Sequence, residues 1–297
     1  MSELLAAIRQ ALPGLETREN EPLSQHVSFR IGGPAGLMLL PASAEELEAL
    51  CTLLRRMGEK PLILGNGSNV LPPDDGIDRP VILTKKAAAV RVEGTRVLAE
   101  CGASLTRVSG MAAEAGLTGL EFAYGIPGPV GGALTMNAGA YGGEMKDVAV
   151  RTEYLDGELR KCSCTGEEHD FAYRHSRFTG DDVILRTELQ LTPGDRAAIL
   201  ERCRELTEKR RASQPLEKPS AGSAFKRPAT GYAAAMIDQC GLKGLRVGGA
   251  QVSEKHAGFI VNLGNATAED VKRLLNEVQE RVLDRTGVRL EPEIRIL

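Results

Sequence analysis

The sequence predicts an α+β protein. Four segments combine a capping residue with apolar side chains at helical spacing, short runs of strand character lie between them, and two glycine-rich loops punctuate the first half.

Taken in order, an apolar strand at Pro61 to Leu64 leads into the loop Gly65-Asn66-Gly67-Ser68-Asn69. It is preceded by the first helix, where Ser43 with Glu46 forms a capping box ahead of Leu47, Leu50, Leu54 and Met57, and Gly58 closes the helix. Strands follow at Val81 to Thr84, Val90 to Glu93 and Arg96 to Cys101. Ser104 then opens a helix through Leu105, Val108, Met111 and Ala112 to Gly116. Val148 to Leu155 turns at Asp156-Gly157, and Val183 to Leu191 completes this run of strands. Asp195 begins a third helix through Ile199, Cys203 and Leu206. Pro215 to Pro228 is punctuated by proline and lysine and is expected to be a linker with a domain boundary just before it. Beyond it come strands at Gln251–Val252 and Phe259 to Leu263. A helix from Thr267 through Val271, Leu274, Val278 and Val282 to Gly287 follows, and then a strand from Val288 to Leu297.

With 297 residues, 42% apolar and 26% charged, the chain can bury a substantial core in two or three domains. A net charge of −3 gives no general attraction for nucleic acid or anionic membrane. There is no apolar run of membrane-spanning length, and the N-terminus carries an acid beside too short an apolar core for a leader, so a cytoplasmic protein is expected. The six cysteines are scattered, as reduced thiols in a cytosol would be. Cys162-x-Cys164 with His169 and His175 offers four zinc-type donors, but the one-residue gap is tighter than structural sites use, and a hairpin strand with its loop is expected.

Seven of the twenty residues from Gly125 to Glu144 are glycine. Such a loop offers backbone N–H groups rather than side chains, and the absence of Cβ lets those donors close on an anionic or planar ligand. The loop from Gly65 to Asn69 has the same chemistry. Two such loops suggest one long ligand with a diphosphate in its middle. Gly65-x-Gly67 lacks the third glycine of the dinucleotide fingerprint, and Pro72-Pro73 stand where its helix should begin, so a Rossmann turn is excluded.

Four further features carry candidate chemistry. Basic residues gather around the expected boundary, with Lys226 and Arg227 outside the helix, which suits a phosphorylated ligand. Ser223 stands among small residues but in no G-x-S-x-G elbow, which argues against a hydrolase nucleophile. Tyr173 to Phe178 is a dense polar group at a strand edge, and Glu293 lies on the terminal strand between Pro292 and Ile294.

These segments occur in one order: Phe29-Arg-Ile-Gly-Gly-Pro-Ala35, Gly65-Asn-Gly-Ser-Asn69, Gly125-Ile-Pro-Gly128, Asn137-Ala-Gly-Ala-Tyr-Gly142, Tyr173-Arg-x-Ser176, Gly222-Ser-x-Phe-Lys226 and Pro292-Glu-Ile294. From about Asn20 to Leu297 the chain resembles the UDP-N-acetylenolpyruvoylglucosamine reductases, and the short interval between Tyr173 and Ser223 resembles their compact, type II branch. Arg227 departs from the longer branch, which has a substrate-touching asparagine there.

The resemblance implies the FAD-binding fold of vanillyl-alcohol-type oxidases. Two α+β subdomains would occupy 1–78, with the strand 288–297 returning to it, and 79–205; a substrate-binding domain would occupy 206–287. It implies noncovalent FAD, since neither loop holds an attachment histidine or cysteine, bound by Gly65, Asn66, Gly67, Ser68, Asn69, Gly125, Ile126, Pro127, Gly128, Asn137, Ala138 and Gly139. No metal is implied. NADPH would give a hydride to the flavin, and the enolpyruvyl ether of the UDP sugar would accept it at C3, in peptidoglycan precursor synthesis. By the same resemblance Arg174 and Glu293 would stabilise the charge that develops, Ser223 would protonate C2, and Tyr124, Lys226 and Arg227 would contact substrate.

Overall fold

The computed structural model describes residues 2–178 and 181–297, and the chain divides into two compact units. Unit 1 comprises 1–19, 37–66 and 79–209; unit 2 comprises 20–36, 67–78 and 210–297. The division therefore falls inside the first glycine loop, between Asn66 and Gly67.

Unit 1 holds α1 (Ser2–Ala11), α2 (Ala44–Arg56), α3 (Leu105–Glu114), α4 (Val130–Thr135) and most of α5 (Arg196–Ser213). Its larger sheet is antiparallel and five-stranded, in the order Lys161–Thr165, Ala149–Leu155, Val183–Gln190, Arg96–Glu100, Val90–Glu93. Val81–Leu83 pairs in parallel with Leu62–Leu64 on one side and with Met38 and Leu39 on the other. In α2 the apolar side chains recur at helical spacing, so Leu47, Leu50, Cys51 and Leu54 form one stripe, and each is 0% exposed. Glu46 N–H donates to Ser43 Oγ (3.2 Å), but the Glu46 carboxylate reaches back to Ala42 N rather than Ser43 N, which displaces the expected capping box by one residue.

Unit 2 is built on the antiparallel sheet Ser220–Ser223, Phe259–Asn262, Ala250–Val252, Arg246–Val247, with α6 (Ala233–Gln239) and α7 (Ala268–Thr286). Val271, Leu274, Leu275, Val278 and Val282 of α7 enter a core with Phe29, Ile31, Leu71, Phe225 and Ile260. The reciprocal box is complete here. Asp270 N–H donates to Thr267 Oγ1 (3.0 Å) and Thr267 N–H to Asp270 Oδ2 (3.2 Å). Gly287, in the left-handed region at φ 72, ends the helix.

Two expectations are corrected. The segment 215–228 is not only linker, because Ser220–Ser223 is a sheet strand paired at Ser220↔Val261 and Ser223↔Phe259. A register shift between those pairs and Gly222 at φ 76 break the alternation by which a strand is recognised. The terminal strand is short: Arg295–Ile296 pairs in parallel with Val70–Leu71, and residues before it make only an isolated bridge, Phe225↔Pro292. Pro292 has no N–H to extend a ladder.

Candidate functional site

In unit 1 the two glycine loops meet. A Cβ on Gly65 would stand 2.5 Å from Pro129 Cγ, so the loop leaving Leu62–Leu64 lies directly against the residue after Gly128. That residue is itself fixed. Leu105 N–H donates to Gly128 O (3.0 Å), Val130 N–H to Ala103 O (2.9 Å) and Gly131 N–H to Cys101 O (2.8 Å). The stretch expected to be pure loop contains α4, whose Val130 and Leu134 are fully buried. After α4, Gly139–Ala140 and Gly143–Glu144 form a hairpin turning at Tyr141 and Gly142, both at positive φ. Tyr141 is 44% exposed, so it is not a core residue.

The Tyr173-Arg174 turn, also in unit 1, is closed by two hydrogen bonds between Ala172 and His175, each 3.1 Å. Arg174 sits at φ 53, in the left-handed region unusual for a side chain with Cβ, and its guanidinium lies 5.2 Å from the Tyr173 ring centroid. Asn137, which the resemblance assigns to FAD, is 1% exposed, and its amide is engaged within the protein. Nδ2 donates to Glu144 Oε2 (2.6 Å) and to Ala172 O (3.1 Å), while Oδ1 accepts from Lys146 N (2.9 Å).

In unit 2, residues far apart in sequence are brought side by side. Glu293 N–H donates to Ala224 O (2.9 Å) and Lys226 N–H to Glu291 O (2.9 Å), so the chain after Ser223 runs antiparallel to the chain around Glu293. Asn69 Nδ2 donates to Glu293 O (3.1 Å), Arg295 N–H to Asn69 O (3.0 Å), and a Cβ on Gly222 would lie 3.8 Å from Ser68 O. Ser68, Asn69, Ser223 and Glu293 thus occupy one neighbourhood. Arg174 belongs to the other unit.

The remaining candidates have partners of their own. Lys226 is ion-paired with Glu291, and the Arg227 guanidinium lies 4.4 Å over the ring of Tyr232, an exposed tyrosine that the sequence reading did not single out. The Tyr124 ring packs on the small cluster of Ala113, Ile199 and Cys203. Among the described residues no group of His, Cys, Asp and Glu could hold a metal ion. His169 is buried: Nδ1 faces Gly166 O (3.0 Å), Nε2 faces Thr152 Oγ1 (2.9 Å), and the ring stacks on Phe171. Burial lowers its pKa. Ser176 belongs to the Tyr173-Arg-x-Ser176 motif and Glu144 ends the glycine-rich stretch, but the hydrogen bonds by which they reach Thr135 and Asn137 have no signal in sequence spacing.

FAD needs donors around its diphosphate, and backbone N–H groups in loops poor in Cβ can supply them. Gly65 has Pro129 where a Cβ would be. At Gly67, φ is 56 and a Cβ would meet Val27 Cγ1 at 2.5 Å, and one on Gly139 would come within 2.8 Å of Gly143 O. Only glycine keeps these backbones so close to the scaffold, and the glycine-rich donor set of the two loops suits a group that is bound through main-chain N–H.

The family model described as UDP-N-acetylenolpyruvoylglucosamine reductase, C-terminal domain, matches residues 214–297, and a model of an FAD binding domain matches residues 35–163. A UDP-N-acetylenolpyruvoylglucosamine reductase of Caldanaerobacter subterraneus subsp. tengcongensis is 44% identical over 299 residues, covering 100% of this chain and 99% of its own length. One of Caldicellulosiruptor bescii is 45% identical, covering 96% of this chain and 91% of its own length. The crystal structure of the reductase from Thermus caldophilus superposes with a TM-score of 0.81 at 36% identity, covering 95% of this chain and 98% of that one. With full-length relatives at this identity and the α+β FAD-binding fold in hand, the chain belongs to the UDP-N-acetylenolpyruvoylglucosamine reductase family.

Proposed function

We propose that the protein reduces UDP-N-acetylglucosamine enolpyruvate to UDP-N-acetylmuramate with NADPH, in the cytoplasmic synthesis of peptidoglycan precursors. The observation that carries this reading is the antiparallel contact in unit 2 by which Glu293 N–H meets Ala224 O, so that the backbones of Ser223 and Glu293, 70 positions apart in the chain, lie side by side next to the Ser68-Asn69 half of the first loop. Bound FAD supplies a two-electron relay between NADPH and the enolpyruvyl group. Within this reading the cofactor is held by 1–78 with 288–297 and by 79–205, and the sugar nucleotide by 206–287. The FAD-binding match at 35–163 and the C-terminal match at 214–297 support that assignment.

The residues contribute positioning and proton transfer. As hydride arrives at C3 of the enolpyruvyl group, charge builds on C2 and its carboxylate. The Arg174 guanidinium, permanently charged and forked, pairs with that carboxylate. Ser223 Oγ–H gives its proton to C2. A hydroxyl is a weak acid, and the transfer works because the carbon it meets is far more basic. Lys226 is ion-paired with Glu291, and Glu293, on backbone paired with the segment after Ser223, supports the developing charge in this reading.

The test is anaerobic and uses one cuvette. NADPH should bleach the flavin bands and the enolpyruvyl substrate should restore them. Ser223→Ala should leave the bleaching rate nearly intact and slow the recovery by several orders of magnitude. Equal loss in both halves removes Ser223 from the acid role, and a protein that cannot be loaded with FAD overturns the reading.

A further inference from the structure

We propose that Asn137 and Ser176 are positioning residues for Arg174, holding its turn against the end of α4, rather than contacts to the cofactor. The proposal rests on the reductase reading above. Asn137 spends its whole amide on the protein: one Nδ2 hydrogen goes to Glu144 Oε2 at 2.6 Å, the other to Ala172 O at 3.1 Å, and Oδ1 accepts from Lys146 N at 2.9 Å. No amide hydrogen remains for a ligand. Ser176, 0% exposed, donates from Oγ to Thr135 O at 3.0 Å and accepts from Phe178 N at 3.2 Å.

These bonds grip the turn at both ends. Ala172 is its first residue and Ser176 directly follows its last, and Thr135 and Asn137 flank the C-terminus of α4. Between the grips Arg174 holds φ 53, a conformation that is strained for a residue with Cβ and persists only where the surroundings over-determine it. Asn137 is itself at φ 39 and Tyr141 at φ 53, so strain is concentrated around the same anchors. An always-charged side chain on a freely moving turn would bind the substrate carboxylate in many poses. On a clamped turn it meets one.

The test uses FAD-loaded enzyme and two variants that remove one grip each. Ser176→Ala deletes the hydroxyl, and Asn137→Gly deletes the amide while tolerating positive φ. Either alone suffices should the other fail to fold. Both are made again in an Arg174→Ala background. Expected are unchanged FAD content, flavin reduction by NADPH within about threefold of wild type, and reoxidation by the enolpyruvyl substrate slowed by roughly 10- to 100-fold, the scale of an ångström of misplacement. In the Arg174→Ala background the same changes should add less than about twofold, since a residue acting through Arg174 has nothing left to position. Loss of FAD, slowing of both half-reactions, additive loss without Arg174, or no effect at all would each overturn the proposal. If the wild-type enzyme is not reoxidised by the enolpyruvyl substrate, the reductase reading itself has failed. Turnover by wild type with an unaffected Ser176→Ala sinks the positioning role alone.

Discussion

Gly65→Ala tests whether the first loop holds the cofactor. The new Cβ would lie 2.5 Å from Pro129 Cγ and 3.1 Å from Cδ, where ordinary contact begins near 3.4 Å, so about 1 Å of movement is needed. Pro129 cannot readily supply it. It bridges to Ser104 and is flanked by the bonds from Leu105 N to Gly128 O and from Val130 N to Ala103 O. The Gly65 side must therefore yield, carrying the N–H groups of Gly65 and Asn66 with it. Overpacking of this kind costs about 1–3 kcal/mol. Expressed in binding, that is a loss of FAD affinity of about 5- to 150-fold. The assay is titration of apoprotein with FAD, followed by quenching of flavin fluorescence, with thermal unfolding of the same apoprotein alongside. Gly58→Ala is the control. Gly58 ends α2 at φ 76 with no atom within 4 Å of a Cβ, so alanine there should lower stability by about 1 kcal/mol and leave FAD affinity unchanged. Wild-type FAD affinity in Gly65→Ala, with or without a loss of stability, would refute the cofactor role of this loop.

Two predictions concern stability. Asp74 accepts from Ala268 N (2.8 Å) and Glu269 N (3.3 Å), adding a second carboxylate to the N-terminus of α7 beside Asp270. Asp74→Ala should cost about 1 kcal/mol in denaturant unfolding, and a loss below about 0.3 would show that Thr267 and Asp270 suffice. Acidification should destabilise the protein through His169, which is buried, and His256, which is half-buried. Burial lowers the folded-state pKa of both His169 and His256, so below pH 6.5 the unfolded chain binds the extra protons, and stability present above that pH is lost as pH falls. Unfolding free energies measured between pH 7.5 and 5 should fall by at most about 1.4 kcal/mol per pH unit per histidine, and His169→Asn should flatten the slope. Stability that rises on acidification through this window would contradict the assignment of neutral, buried rings.

What could be read from the sequence was whatever is written locally. α2 and α7 each carry a cap, a stripe and a stop in one continuous segment, and both stand where the periodicity puts them. α1, with Leu4, Leu5 and Ile8 buried, is as amphipathic but was weighed only as a leader. α4 escaped notice for a physical reason. Gly131 and Gly132 make it a poor helix, and it forms because Gly131 packs its backbone on Cys101, where a Cβ would be 3.0 Å from Cys101 Cβ. Ser220–Ser223 was hidden by its register shift. The adjacency of Ser223 and Glu293 had no local signal at all. It depends on pairing between segments about 70 residues apart, at the bridge Phe225↔Pro292 and the backbone bonds beside it.

The glycine-rich stretch shows most clearly where reading by residue type stops. Its composition pointed to a candidate site, on the argument that glycine frees backbone donors for a ligand. In the folded chain several of those glycines answer to the protein itself: Gly143 leaves room for Phe122, whose Cδ1 would be 2.5 Å from a Cβ, Gly139 for the Glu144 strand, and Gly131 for Cys101. Gly142, at φ 93 with open space around it, is there for the turn. Close packing of this hairpin seats Glu144 against Asn137, and Asn137 against the Arg174 turn. In the reading proposed above, the glycines therefore act on the chemistry at one remove. By letting backbone approach backbone they build the platform on which a charged side chain is held, and a composition count cannot separate that work from cradling a diphosphate.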